Sequence, residues 1–136
     1  MDITGRLASS VAGTRLLFDG LPAPLIYFSA TQIGAVVPYA VASKTTTQVQ
    51  VEYQGVASAA IAVAVGAASP ALFTANSSGQ GPGAILNQDT SINSAPNPAA
   101  KGSVVVLYAS GERRTNPPGV DGQIDISVFQ KPVLPV

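Results

Sequence analysis

The most regular feature of the chain is a strict alternation of apolar and polar residues in TQVQVEYQG, at residues 47–55. In an extended chain Val49, Val51 and Tyr53 lie on one face, while the glutamines and Glu52 lie on the other. A period of two over this length predicts a half-buried β-strand with one wet face. We therefore place a strand here and assign the neighbouring segments around it.

The segment that follows continues the alternation more weakly, because Ile61, Val63 and Val65 alternate with alanines. Gly55 and the small residues after it favour a turn between the two runs. The pattern therefore predicts a β-hairpin formed by this run and the strand at residues 47–55.

Upstream, apolar runs at residues 14–20, 24–30 and 32–40 are separated by turn-forming residues, including the GLPAP cluster. The prolines deny backbone donors to a sheet and so mark strand ends. Short strands at this spacing, without a helical stripe, predict an antiparallel β-sandwich. Strand parity predicts burial of Leu17, Leu25, Tyr27, Ile33, Val49, Val51, Tyr53, Ile61 and Val63.

Because Val51 is predicted to be buried, we expect Val51→Asp to unfold the module, since it would bury an unpaired charge.

Composition divides the rest of the chain. Residues 75–100 collect Asn, Ser, Gly and Pro around one short apolar island, which predicts an irregular connector with room for one small hairpin. SVVVLYA at 103–109 is apolar on both faces, as expected of a strand that is covered on two sides. The proline-containing segment ISVFQKPVLPV at 126–136 is predicted to be extended.

Charge and residue types narrow the function classes. Seven Lys or Arg balance seven Asp or Glu, so nucleic acid and anionic membranes are disfavoured as partners. The absence of His and Cys removes the common zinc ligands, thiolate nucleophiles and the usual general base. The longest apolar run, AAIAVAVGAA, is too short to span a bilayer. We therefore predict no catalytic residue, no metal, no cofactor and no membrane insertion.

One cluster carries oxygen atoms at alternate positions. Asn87, Asp89, Ser91 and Asn93 have the spacing of calcium loops, and GVDGQID at 119–125 adds two aspartates. Calcium takes roughly six to eight oxygens, usually from several carboxylates, whereas the first cluster has one carboxylate. Asn and Asp are also typical of turns, in which they bond their own backbone. Turn formation is the favoured interpretation, and no residue is assigned as a metal ligand.

A longer stretch resembles a known family. The run GTRLLFDGLPAPLIYFSATQIGAVVPYAVASKTTTQVQVEYQG, followed by SPALFTANSSGQGPGAILNQDTSINSAPNPAAKGSVVVLYASGE and PPGVDGQI, is similar to the Solibacter uncharacterised C-terminal domain, found at the carboxyl end of large exported acidobacterial proteins. The similarity covers nearly the whole chain, and the repeats of that family resemble the IPT/TIG type of immunoglobulin-like fold. The resemblance implies an immunoglobulin-like antiparallel β-sandwich in a bacterial extracellular or cell-surface protein.

The family also implies two tandem sandwiches, each opening with a strand of the pattern PG-x-x-V-x-[IL]-[FY]-[AG]-[ST]-G. Here the pattern occurs once, as KGSVVVLYASG at 101–111. We therefore expect a sandwich at 1–74 that lacks its opening strand, a connector at 75–100, and at 101–136 a donor-type strand with an extended arm that starts a truncated second repeat. On this interpretation the chain is a fragment or an abbreviated form.

A sandwich without its opening strand exposes an apolar groove and backbone groups that chains normally cover. The strand at 101–111 belongs to the type that the resemblance assigns to that place, so it either returns to its own sandwich or enters that of a neighbouring copy. We favour the neighbouring copy, because the long polar connector suits an arm; this head-to-tail contact propagates as a filament. The predicted assembly strand comprises Val104, Val105, Val106, Leu107 and Tyr108.

Three function classes follow. The first is a non-enzymatic structural or adhesive module that self-associates. The second is a glycan-binding accessory module, which requires two or more aromatic side chains on one solvent-facing surface. Tyr27 and Phe28 are adjacent in a strand, so one of them is a candidate for exposure. An enzyme is the least favoured class, since the carboxylates are scattered along loops and strand edges.

Overall fold

A computed structural model describes the chain at residues 5–111, 114–124 and 130–133. These residues form several antiparallel β-sheets and one short 3-10 turn, so the predicted all-β class is confirmed. In chain order the elements are β1 (Thr14–Phe18), β2 (Leu21–Pro22), β3 (Leu25–Phe28), β4 (Ile33–Ala35), the 3-10 turn (Tyr39–Val41), β5 (Thr46–Tyr53), β6 (Val56–Ala57), β7 (Ile61–Ala64), β8 (Ala71–Leu72), β9 (Ile85–Leu86), β10 (Val106–Leu107), β11 (Ala109–Ser110), β12 (Thr115–Asn116) and β13 (Lys131–Pro132).

The chain divides into two compact units. The first unit contains Met1–Ala67 and Arg113–Pro135, and the second contains Ala68–Glu112 with Val136. The segment that the sequence predicts to be extended contributes β13, which pairs with β12. Its residues 126–129 and 134–136 lie outside the described part of the chain.

The main sheet of the first unit is built on the alternating strand. β5 pairs with β1 on one side and with β6 and β7 on the other, which confirms the predicted hairpin. β2 extends the sheet beyond β1. Directly opposite residues of antiparallel strands share a face. The registers bring together on one face Thr14, Leu16, Phe18, Thr47, Val49, Val51, Tyr53, Val56, Ile61 and Val63.

Two tight turns set these registers. Asp19 and Gly20 join β1 to β2 with φ angles of 50° and 81°, and Gln54 and Gly55 join β5 to β6 with φ angles of 50° and 82°. Two consecutive positive φ angles are those of a type I′ turn, whose twist matches that of the flanking strands. Glycine suits the second position because it lacks the Cβ that disfavours this conformation.

A small core lies at one end of the main sheet. Phe18, Ala23 and Val41 are buried against one another, and neighbouring apolar side chains are partly buried against them. Val41 comes from the 3-10 turn, and Ala35 of β4 packs against the same cluster. The β3–β4 hairpin and the 3-10 turn therefore cover the sheet face around Phe18, and we call them the second layer of the first unit.

The predicted buried set is correct only in part. Leu17 and Leu25 are buried, and Ile33 and Val49 are half-buried. Parity assigned the β-strand side chains to shared faces, but the second layer does not extend over all of them. The prediction of burial is wrong for five side chains, which are between 37% and 67% exposed: Tyr27, Val51, Tyr53, Ile61 and Val63.

Because Val51 is exposed, the carboxylate of a Val51→Asp variant would remain in contact with water, and the expectation that this variant unfolds does not hold.

The second unit is held by paired backbone and polar side chains. β10 pairs with β9, and β11 pairs with β8. No apolar side chain is buried among its described residues, whereas Asn87 is only 8% exposed. The Asn87 amide donates to the Ser91 hydroxyl and the Asn97 carbonyl, and it accepts from the Asn93 amide. A unit this small buries little surface, so these hydrogen bonds contribute much of its order.

Asp19 makes three hydrogen bonds through its carboxylate in the first unit. Its carboxylate accepts hydrogen bonds from the Gln48 backbone N–H, the Lys44 ammonium and the Thr47 hydroxyl. The Gln48 bond has the largest effect, followed by those from Lys44 and Thr47, and together they lower the pKa of Asp19 to about 2. These donors stabilise the charged form of the carboxyl group.

Asp19→Asn is expected to remove a pH-dependent part of the stability. Because the folded-state pKa lies below the ordinary value of 3.8, the contribution is complete above about pH 4 and is lost as the pH falls towards about 2. Thermal melts in this range should show a wild-type advantage that shrinks as acid is added. A difference in melting temperature that stays constant with pH would contradict the role assigned to Asp19.

Candidate functional site

The predicted assembly strand lies in the second unit, where it is paired within its own chain. β10 pairs with β9, with Val106 opposite Leu86. β11 pairs with β8, with Ala109 opposite Leu72. The apolar island of the polar connector therefore forms a strand, and residues 106–110 run alongside it and β8.

One edge of residues 106–110 faces β8 and β9, and the other faces away. The Tyr108 N–H donates to the Ala84 carbonyl at 3.2 Å, and the Tyr108 carbonyl accepts from the Phe73 N–H at 2.9 Å. Backbone groups of successive residues point to opposite edges of a strand, so those of Leu107 and Ala109 point outward. Among the described strands, β10 pairs with β9 alone and β11 with β8 alone. We call this open side the 104–110 edge.

The side chains along the 104–110 edge are exposed on both faces, so the prediction of a strand covered on two sides is wrong. Edge strands usually carry a lysine, a proline or an inward-pointing charge that discourages pairing with another chain. Residues 102–111 contain no charge and no proline. The exposure lies between 39% and 65% for Val104, Val105, Val106, Leu107 and Tyr108.

β7 forms a second open edge, in the first unit. The Val65 N–H donates to the Thr45 carbonyl at 2.9 Å, so the backbone groups of the odd-numbered residues point towards β5. Within the described part of the chain, β7 pairs with β5 alone. Residues 53–69 contain no charge and no proline, so β7 itself lacks the charged residue or proline that discourages pairing. The register along β5 shifts by one residue between β6 and β7, so the edge is irregular at residues 58–60. Within β7 the outward-pointing backbone groups belong to Ala62 and Ala64.

An exposed apolar surface lies beside β7. Val51, Tyr53 and Val56 line a shallow depression. Contiguous exposed apolar surface often marks an interaction site. We call the whole surface the open apolar face; its members share one side of the sheet, are 37% to 74% exposed, and are Val51, Tyr53, Val56, Ile61 and Val63.

Two aromatic side chains lie together in the second unit. Phe73 and Tyr108 continue the register of β8 and β11 and are joined by a backbone hydrogen bond, so they share a face. They are 55% and 48% exposed. In β3, Tyr27 and Phe28 are both exposed but point to opposite faces, and the Tyr27 ring lies over Gly34. The Phe73–Tyr108 pair therefore provides two aromatic rings on one solvent-facing surface.

The polar cluster at residues 87–93 is engaged in its own hydrogen bonds. Asn87 accepts from the Asn93 amide at 2.8 Å. The Asp89 carboxylate accepts from the Ser91 hydroxyl and N–H, which lower the pKa of Asp89 below its usual range. Over the described residues, no three acidic side chains converge to hold a metal ion. The contacts are those of Asx turns.

Comparison with family models, curated proteins and solved structures found no match for this chain. No helix in the described ranges has the length and apolar character needed to cross a bilayer. The 104–110 edge, the β7 edge, the open apolar face and the aromatic pair are the features on which a function can be built.

Proposed function

We propose that this chain is a non-enzymatic structural or adhesive module of an exported bacterial protein, and that it self-associates outside the cell or at the cell surface. The proposed architecture is an immunoglobulin-like sandwich of the IPT/TIG type whose first repeat lacks its opening strand. Support comes from the resemblance to the Solibacter C-terminal domain and from the antiparallel sheet of β1, β5 and β7.

The 104–110 edge is the observation that carries the proposal. Leu107 and Ala109 direct their N–H and carbonyl groups outward, and the adjoining side chains are apolar and exposed. An edge of this kind binds a further strand through main-chain hydrogen bonds. The edge pairs with the first unit of a neighbouring copy without leaving β8 and β9. Because the two surfaces differ, the contact is head-to-tail and extends into a filament.

Structural partners of the acidic side chains support a non-enzymatic role. Asp19 forms an ion pair with Lys44, and Glu52 forms one with Arg15. Asp121 accepts a hydrogen bond from the backbone N–H of Tyr39 at 2.9 Å. General acid–base catalysis requires titratable groups that converge on a substrate, whereas these carboxylates bind their own fold.

Leu107→Pro tests the proposed function. Proline removes an outward N–H and no bond to β8 or β9, so it is tolerated at such an edge position. Light scattering of the wild type should give a mass that rises with concentration above the 13.7 kDa of the monomer. The Leu107→Pro variant should remain monomeric, and Leu107→Val, which keeps the N–H, should assemble. A monomeric wild type, or equal assembly of all three proteins, would overturn the proposal.

A glycan-binding accessory module is the second candidate, favoured by the Phe73–Tyr108 pair. Exposed aromatic rings offer flat apolar surfaces edged by polar groups. Isothermal titration with cellohexaose and chitohexaose should then show binding that Phe73→Ala and Tyr108→Ala each abolish. Tyr53→Ala is the control, because Tyr53 is equally exposed at 55% but lies in the first unit. If titration with both sugars gives no binding heat, glycan binding by this module is contradicted for these two types of glycan.

A further inference from the structure

We infer that the surface that receives the 104–110 edge is the β7 edge of a second copy, paired antiparallel with Ala62 opposite Leu107. The inference rests on the proposed function and names the partner surface that the proposed function leaves open. Both edges belong to the same sequence, so a single protein supplies donor and acceptor. Each copy then offers one edge of each kind, which allows continued addition.

The direction of the backbone groups selects this register. The outward groups of the β7 edge occur at positions 62 and 64 within β7, and those of the 104–110 edge at positions 107 and 109. With Ala62 opposite Leu107, the outward groups of these two residues meet, and Ala64 falls opposite Val105, the residue before β10. A slip by one residue would place outward groups against groups already bonded to β5, β8 or β9.

The side chains fit in the same register. Ile61 falls opposite Tyr108, and Val63 falls opposite Val106, all four on the side of the open apolar face. Ile61 and Val106 are 67% and 46% exposed, so cross-strand packing removes apolar surface from water. On the other side of the sheet the large Leu107 lies opposite the small Ala62. The paired strands thus combine large with small side chains there and apolar with apolar ones on the open apolar face.

Charge does not oppose the pairing of these two edges. Neither residues 53–69 nor residues 102–111 contain a charged residue, so no like charges are opposed when the two edges meet. The competing arrangement pairs the β7 edges of two copies with each other. That pairing would place Ala62 opposite Ala62, with less side-chain contact, and would leave the 104–110 edge uncovered. It would also close into a dimer, because the contact is symmetric.

A mixing experiment with two full-length variants tests the pairing. Ala62→Pro removes an outward N–H of β7 and leaves its bonds to β5 intact, so it blocks the acceptor edge. Leu107→Pro blocks the donor edge. Each variant alone should be monomeric by light scattering. An equimolar mixture should form a complex of twice the 13.7 kDa monomer mass and nothing larger, because each partner retains one working edge.

Controls and alternative outcomes separate this inference from the proposed function. Ala62→Val keeps the N–H and should assemble like the wild type; Ala62→Lys replaces Ala62→Pro should the proline variant lack a native circular dichroism spectrum. Assembly by Ala62→Pro alone, with Leu107→Pro monomeric, would overturn the β7 assignment while the proposed function stands. Dimers of Leu107→Pro alone would indicate β7–β7 pairing and overturn the inference. A mixture that stays monomeric would also overturn it, and a monomeric wild type would overturn both.

Discussion

Phe18→Ala is expected to lower the free energy of unfolding by about 3–5 kcal/mol, the range measured for aromatic-to-alanine changes in protein cores. Phe18 is 9% exposed and packs with Ala23 and Val41, the residues that form the small core. The cost combines lost transfer free energy with the cavity left behind. It is a large share of a typical domain stability of ~5–15 kcal/mol. Urea denaturation followed by circular dichroism measures the change.

Phe28→Ala is the matched control for this experiment. The same side chain is removed, but Phe28 is 40% exposed and lies outside the core cluster. Its loss should therefore cost much less than the loss of Phe18. Equal losses at the two positions would contradict the placement of the core around Phe18.

Gly111→Ala should disrupt the pairing of β8 with β11. Gly111 has a φ angle of +79°, and a Cβ there would clash with the Ser69 carbonyl oxygen. The Ser69 N–H also donates to the Gly111 carbonyl. Because the obstructing atom belongs to the backbone, it cannot rotate away as a side chain would. Hydrogen exchange should show lost protection at Phe73 and Ser110, while β1 and β5 of the first unit keep theirs.

Gly102→Ala isolates the steric part of that effect. Gly102 has a φ angle of +86°, but beyond its two chain neighbours no atom of the described residues lies within 4 Å of the Cβ position. The Gly102→Ala variant should therefore lose only the roughly 1–2 kcal/mol of unfolding free energy that a left-handed backbone conformation costs alanine. The difference between the two variants measures the clash with Ser69, and similar exchange profiles for both would contradict the close approach.

Local sequence patterns predicted the parts of the fold that depend on neighbouring residues. The alternation at residues 47–55 predicts a strand, and β5 spans Thr46–Tyr53. The turn at Gly55 follows from residue type, because glycine takes positive φ at little cost. Such features are set within a few residues of chain, and tertiary contacts do not need to be known.

The extent of the second layer could not be predicted in this way. Val51 and Phe18 share a face, yet Phe18 is buried and Val51 is 37% exposed. The difference depends on how far the β3–β4 hairpin and the 3-10 turn reach across the sheet. Strand periodicity reports which side of a strand is apolar, but burial depends on packing partners that are distant in sequence.

The candidate site shows the same division. The apolar run at residues 103–109 predicts a strand, and β10 and β11 lie within it or at its end. Which edge is open depends on the bonds from Tyr108 to Ala84 and Phe73, which join residues far apart in the chain. An outward N–H at Leu107 therefore has no signature in the sequence itself.

Sedimentation velocity of the unmodified chain, over a series of increasing concentrations, tests the central claim that this protein self-associates through open strand edges. We expect a sedimentation coefficient that increases continuously with concentration, as species larger than the 13.7 kDa monomer accumulate. A single species with the mass of the monomer at every concentration would contradict the claim.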